Sequence, residues 1–138
     1  MSELVTVVLA AGQSRRMKSN QSKVLHPIAG RPSIYYPVAV AAALGAKRVI
    51  VVTSPRDELA IGSQLAAALP GLSIQTAVQS VAQGTGDAVR IGLGPLEGAS
   101  AGNVLILYGD VPLITAPQIE ALIRLPGPRT LNVATCQL

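Results

Sequence analysis

The sequence has 138 residues, enough for one domain with a hydrophobic core, and it combines a net charge of +4 with only 13% charged residues. No apolar stretch approaches the roughly 20 residues that span a bilayer, and no basic segment precedes the first apolar run. One cysteine supports neither a disulfide framework nor a cysteine-based metal site, and three tyrosines without Phe or Trp offer little surface for stacking nucleic-acid bases. We therefore expect a cytoplasmic protein that contacts neither membrane nor nucleic acid.

Strands and helices alternate from the start of the chain. Val5 to Ala10 is a continuous apolar, β-branched run, which is typical of a strand buried on both faces. A helix is predicted over 33–44, because it follows a proline and ends at Gly45. A second buried strand at 49–53 precedes a helix at 57–69, and the weaker, alternating run at 73–78 predicts a strand at the edge of the sheet.

The second half repeats this alternation. We predict a helix over 84–93, a strand over 104–108, a helix over 117–125 with Thr115 as its N-cap, and a final strand over 130–136. This order predicts the α/β class: a Rossmann-like, mostly parallel sheet with helices on both faces, forming one unit over 1–138 without a second domain.

Three unusual stretches follow predicted strands, at the edge of a parallel sheet where ligands bind. The first, LAAGQSRRM, begins at Leu9 with small residues that leave the backbone accessible. A cluster of cations lies in this stretch and just after it, namely Arg15, Arg16, Lys18 and Lys23. Small residues let a base or phosphate approach the backbone, and the cations favour a phosphate group. The alternative is a solvated basic loop. The other two stretches are GTGDA, from Gly84, and YGDVPL, from Tyr108.

Asp110 supplies a carboxylate at the end of an apolar strand, where it could hold Mg²⁺ against phosphate oxygens. The alternative is that Asp110 only caps a turn. Asp87 is expected to act as a helix first-turn acid, favourable against the helix dipole and without a role in metal binding.

The segment LAAGQSRRMKSNQSKVLHPIAGRP resembles the N-terminal signature of the sugar-nucleotide pyrophosphorylases. Together with QGTGDA and LYGDVPL, in this order and spacing, it is similar to the uridylyltransferase domain of the bacterial N-acetylglucosamine-1-phosphate uridylyltransferases. The resemblance covers nearly the whole chain. It implies a nucleotide-diphospho-sugar transferase fold, of the type called GT-A, and the formation of UDP-N-acetylglucosamine and pyrophosphate from UTP and N-acetylglucosamine 1-phosphate, for cell-wall biogenesis.

The resemblance also implies roles for individual residues. The nucleotide would contact the backbone of the loop after the first strand, at Leu9, Ala10, Ala11 and Gly12. Arg16 and Lys23 would be catalytic, binding the triphosphate as its α-phosphorus is attacked. Uracil would be read by Gln79, Gly84 and Thr85. The ribose and metal side would be formed by Tyr108, Gly109 and Asp110, with Asp110 as the Mg²⁺ ligand.

The sequence departs from the family pattern in places. Ser14 and Arg15 stand where Gly and Thr are usual, and Ser22 stands where Pro usually precedes Lys23. The nearest enzymatic alternative is therefore a nucleotidyltransferase that modifies the molybdenum cofactor. The family's domain runs well beyond position 138, so the fold is expected to be truncated, with an open sheet edge covered by a missing C-terminal segment or by a homo-oligomer. We expect the chain alone to be inactive or nearly so. Besides the molybdenum-cofactor enzyme, the other alternative is a non-catalytic nucleotide-binding fragment.

Overall fold

The computed structural model describes residues 3–13, 17–97, 102–125, 127 and 130–135. Arg15 and Arg16 of the opening loop lie outside the described residues, as does Cys136. Within the described part, the strands are β1 (Leu4–Ala10), β2 (Pro27–Ile28), β3 (Arg31–Pro32), β4 (Arg48–Thr53), β5 (Ser73–Val78) and β6 (Asn103–Tyr108). The α-helices are α1 (Tyr35–Ala43), α2 (Glu58–Ala68), α3 (Thr85–Leu93) and α4 (Ala116–Ile123).

Four of the strands form one parallel sheet in the order β5-β4-β1-β6. The central strands β1 and β4 are buried almost throughout, which explains their uniform β-branched composition. β5 lies at an edge and is half-exposed, as its alternating sequence predicts. The parallel sheet and its four predicted strands are thus confirmed, and each predicted helix is present with ends shifted by one or two residues.

Helices cover both faces of the sheet. On one face, the strands pack against α1, α2 and α4 through a core that includes Val38, Leu65 and Ile119. On the other face, Val7 and its neighbours pack against α3. The contact with α3 is close, since a Cβ on Gly92 would lie 2.5 Å from Val7 Cγ1. In the described residues, no helix combines the length and apolarity needed to cross a membrane.

A two-stranded hairpin that the sequence analysis did not predict joins β2 to β3. Its two-residue turn consists of Ala29 and Gly30, both with positive φ (48° and 81°), as a type I′ hairpin turn requires. The pairing continues beyond the hairpin, where the Ile34 amide donates to the Val24 carbonyl at 2.9 Å. This pairing fixes the short 3₁₀ turn Lys23–Leu25 against the body of the domain.

β6 forms the edge of the four-stranded sheet opposite β5, and it is only partly covered. Val104, Ile106 and Tyr108 point to the face that α3 covers further along the sheet, and they remain 41%, 39% and 51% exposed. The expected open edge with exposed apolar surface is therefore present in the described residues.

The predicted final strand over 130–136 is wrong for its described part. Residues 130–135 form no strand, and the side chains of Leu131 and Val133 are mostly exposed. Instead of pairing with a sheet strand, Asn132 Nδ2 donates to the Leu122 carbonyl at 3.3 Å. An apolar, β-branched composition alone does not make a strand when the segment has no hydrogen-bonded neighbour in the sheet.

Candidate functional site

The strand order reverses beside β1. The chain proceeds outward from β1 through β4 to β5, and then returns to place β6 on the other side of β1. In parallel α/β sheets, ligands bind outside the carboxyl ends of the strands at this reversal. A cleft of about 280 Å³ lies there. It is lined by residues from five segments of the chain: Leu9, Ala10, Ala11, Gly12, Lys23, Val24, Gln79, Ala82, Gly84, Thr85, Ala88, Tyr108 and Asp110.

The carboxyl ends of β1 and β6 are in direct contact. The Gly109 amide donates to the Leu9 carbonyl at 2.9 Å, extending the ladder between the two strands by one bond. A Cβ at position 109 would lie 3.1 Å from that carbonyl oxygen and 3.4 Å from the Cβ of Ala10. The absence of a side chain at Gly109 therefore allows the two strand ends to approach each other, and this brings Asp110 beside the loop after β1.

A short ion pair crosses the cleft. Lys23 Nζ lies 2.6 Å from Asp110 Oδ2, and about a third of each side chain is exposed. The hairpin positions the lysine, because it anchors the 3₁₀ turn that begins at Lys23. A Cβ on Gly12 would lie 3.8 Å from Lys23 Nζ, so the ammonium group also approaches the small-residue loop. The sequence analysis gave Lys23 and Asp110 separate roles and did not predict their pairing.

The third side of the cleft is built around Gln79, which is 6% exposed. Its backbone amide donates to the Thr53 carbonyl at 2.9 Å, continuing the ladder beyond β5. Its side-chain Nε2 donates to the Gly84 carbonyl at 3.2 Å and to Asp87 Oδ2 at 2.9 Å. Gly84 has φ of 94°, a conformation that favours glycine, and it is the N-cap residue of α3.

Asp87 binds a second donor on its other oxygen. The Arg90 guanidinium donates to Asp87 Oδ1 at 2.8 Å through Nη2 and at 3.3 Å through Nε. The hydrogen bond from Gln79, followed by the contacts with Arg90, holds the pKa of Asp87 below its usual range. The dipole role expected for Asp87 is thus incomplete, because the carboxylate also binds a side chain that lines the cleft.

The cleft offers limited ligands for a metal ion. Among the described residues, no group of three or more His, Cys, Asp or Glu side chains could hold one. Asp110 contributes a carboxylate to the lining, whereas Asp87 is engaged with Gln79 and Arg90. Since Mg²⁺ commonly takes one or two carboxylates together with waters and substrate phosphates, the single carboxylate of Asp110 in the described lining fits that ion.

Most of the sequence-predicted residues are brought together. The cleft is lined by Leu9, Ala10, Ala11, Gly12, Lys23, Gln79, Gly84, Thr85, Tyr108 and Asp110. Gly109 lies between the last two of these and packs on β1, while Arg16 lies outside the described residues. Sequence reasoning missed Val24, Ala82 and Ala88 as lining residues, and it missed the contact between Asp87 and Gln79. The available signal for that contact was the position of Asp87 in the first turn of α3, directly after the glycine-rich turn.

Comparisons with known proteins show the family of the chain. The family model of the MobA-like NTP transferase domain matches residues 6–137. A bifunctional protein GlmU from Anaeromyxobacter dehalogenans strain 2CP-C is 48% identical over 120 residues, which are 87% of this chain and 24% of the relative. The GlmU protein of Sorangium cellulosum is 44% identical, over 86% of this chain and 25% of the relative. That of Novosphingobium aromaticivorans is 48% identical, over 91% of this chain and 27% of the relative.

The chain therefore spans about a quarter of the length of these relatives. Because they are bifunctional GlmU proteins, they do not favour the alternative of a molybdenum-cofactor nucleotidyltransferase.

Proposed function

The chain belongs to the MobA-like NTP transferase domain family, and we propose that it is the nucleotide-binding part of a uridylyltransferase. The reaction joins UTP and N-acetylglucosamine 1-phosphate, giving UDP-N-acetylglucosamine and pyrophosphate. The proposal rests on one observation: a cleft at the strand-order reversal combines a hydrogen-bonding wall around Gln79 with a small-residue loop and the Lys23–Asp110 pair. A cytoplasmic location is part of the proposal, since the substrate is a nucleoside triphosphate.

In this proposal, uracil lies against Gln79 and the turn formed by Gly84 and Thr85. These groups provide fixed hydrogen-bond partners on a wall that is rigid, because Gln79 is buried and bonded through both its backbone and its side chain. A fixed polar partner discriminates between bases because the wrong base leaves it unpaired. Tyr108 and the backbone of Leu9 to Gly12 would contact the ribose and the base.

The phosphates would lie toward Lys23, with Arg16 of the opening loop as a second cation. An oxygen of the sugar phosphate attacks the α-phosphorus of UTP, a new P–O bond forms, and the bond to the bridging oxygen of the β-phosphate breaks, so that pyrophosphate leaves. Such transfers depend mainly on positioning and on neutralising the phosphate charge, and they need no protein nucleophile. Lys23 suits this task because its ammonium is mobile and can move from Asp110 to a phosphate oxygen.

Asp110 would hold a divalent cation, which we propose to be Mg²⁺. When bound, the cation would neutralise charge on the phosphates. The ion pair with Lys23 fits this role, because the Asp110 carboxylate would be available to a cation once the Lys23 ammonium binds the nucleotide. We expect residues outside the chain to supply most contacts with the sugar, so that the 138-residue chain binds UTP with little or no turnover.

The test is a calorimetric titration of the chain with UTP, CTP and ATP in the presence of Mg²⁺. We expect UTP to bind best, and Gln79→Met to remove most of that preference. Gln75→Met is the matched control, since Gln75 is an exposed glutamine on β5 outside the cleft lining. Equal affinity of the parent chain for all three nucleotides would contradict the uridine assignment and favour the alternative of a general nucleotide-binding fragment.

A further inference from the structure

The orientation of the Gln79 side chain is set by its partners. A glutamine amide has an NH₂ group that only donates and an oxygen that only accepts. The end of the amide near α3 faces the Gly84 carbonyl at 3.2 Å and the Asp87 carboxylate at 2.9 Å. Both of these groups accept hydrogen bonds, so the NH₂ group must point toward them and the oxygen must point away.

The Oε1 atom of Gln79 is therefore the group left for a ligand. It accepts no hydrogen bond from the described residues, although Gln79 is buried and lines the cleft. The nitrogen, in contrast, is already committed to two acceptors. The wall therefore offers an acceptor to a ligand in the cleft.

Asp87 is the stronger of the two anchors. Its hydrogen bond with Gln79 is the shorter one, and hydrogen bonds to charged groups are stronger than those between neutral groups. Arg90 binds the other carboxylate oxygen and leaves Oδ2 directed at Gln79. Without Asp87, the Gln79 Nε2 group would keep the Gly84 carbonyl as an acceptor but would lose its charged partner.

We propose that Asp87 is a positioning residue that sets pyrimidine specificity, by holding the Gln79 amide so that Oε1 faces the base. This inference rests on the proposed function, because it assumes that a uridine nucleotide occupies the cleft. Uracil carries an N–H donor at N3, which Oε1 can accept. Cytosine carries an acceptor at N3, and two acceptors facing each other leave both unpaired. The choice between the bases thus depends on which end of the amide faces the cleft.

The test compares the affinities of UTP and CTP in Asp87 variants of the chain, by calorimetric titration in Mg²⁺. In the parent chain we expect UTP to bind about ten- to a hundredfold more tightly than CTP. Asp87→Asn keeps the size of the side chain, but an amide at 87 can either donate or accept, so the Gly84 carbonyl alone favours the parent orientation of the Gln79 amide. We expect the UTP/CTP ratio to fall at least about threefold below the parent value, because the parent orientation loses its charged anchor.

Two further variants separate positioning from a general structural effect. Arg90→Gln removes the second partner of Asp87 but leaves a carboxylate that is ionised at neutral pH, so the ratio should stay near the parent value. Asp87→Ala is the second variant to use if the asparagine variant does not fold, because alanine is a good helix former in α3. It also removes the charged anchor of Gln79, so the UTP/CTP affinity ratio should fall.

The outcomes distinguish this inference from the proposed function. A parent chain that prefers UTP, with Asp87 variants that keep the same ratio, overturns the positioning role and leaves the uridylyltransferase proposal intact. Equal loss of selectivity in Arg90→Gln also overturns it, since α3 as a whole would then be responsible. A parent chain without preference for UTP overturns both proposals.

Discussion

The substitution Asp110→Asn separates the pairing of this carboxylate with Lys23 from its proposed role in binding a cation. The ion pair is 2.6 Å long, with about a third of each side chain exposed. Exposed pairs contribute about 0.2–1 kcal/mol, so the variant should remain folded with a melting temperature lowered by at most a few degrees. Ligand binding, in contrast, should change strongly.

With Mg²⁺ present, Asp110→Asn removes the charge that, in the proposed function, would hold the cation beside the phosphates. Losing one charge-assisted contact costs about 1.5–3 kcal/mol, which corresponds to about a ten- to hundredfold weaker binding of UTP. In EDTA, the affinity should be unchanged or slightly higher, because a carboxylate that repels the phosphates is gone. The assay is a calorimetric titration of parent and variant with UTP under both conditions.

Glu120→Gln is the matched control. It breaks another 2.6 Å ion pair, between Glu120 and Arg124 on α4, in residues that do not line the cleft. This control should leave UTP affinity unchanged under both conditions. If Asp110→Asn binds UTP as tightly as the parent in Mg²⁺, the carboxylate is a turn residue and an ion-pair partner only, and the metal role is refuted.

Three further predictions concern the opening loop, the packing of α3 and the pH dependence of stability. Arg16→Ala should weaken UTP binding about ten- to a hundredfold, whereas Arg15→Ala should have a small effect that disappears at high salt; the reverse ranking in titrations would contradict the assignment of the loop. Gly92→Ala should lower the free energy of unfolding by about 1–3 kcal/mol, because its Cβ would meet the core, while the control Gly86→Ala, with open space around it, should not; denaturant unfolding that ranks them equally contradicts the packing. Because the pKa of Asp87 is lowered on folding, its stabilisation is present above about pH 4 and is lost as the pH falls through the folded pKa. The difference in melting temperature between the parent and Asp87→Asn should therefore vanish in acid, and a difference independent of pH would contradict this account.

The sheet could be predicted because its strands carry strong local signals. β1 and β4 are buried on both faces and are therefore apolar at nearly every position, whereas β5 alternates because it lies at an edge. The segment 130–135 has a similar composition without being a strand, since strand formation depends on a neighbour that composition does not reveal. The hairpin of β2 and β3 was missed because each of its strands has two residues, too few for a periodic pattern.

The cleft was predictable in outline but not in its internal contacts. The positions of the three unusual stretches after strands sufficed to bring together the loop after β1, the turn at Gly84 and Asp110, whereas Gln79 was implied by the family resemblance. The pairing of Lys23 with Asp110 joins residues 87 positions apart, and it depends on how the hairpin packs at the end of β6. The contact between Gln79 and Asp87 depends on side-chain orientation at the start of α3, which residue spacing alone does not specify.

The most direct test of the central claim is to map the UTP site on the ¹⁵N-labelled chain by NMR, titrating UTP in the presence of Mg²⁺. We predict that the amide signals that shift belong to the cleft, including those of Gly12, Lys23, Gln79, Thr85 and Asp110. CTP and ATP should produce weaker shifts at equal concentration. Shifts that cluster instead around the exposed face of β6, or an absence of shifts at UTP concentrations in the millimolar range, would contradict the assignment of this cleft as a uridine-nucleotide site.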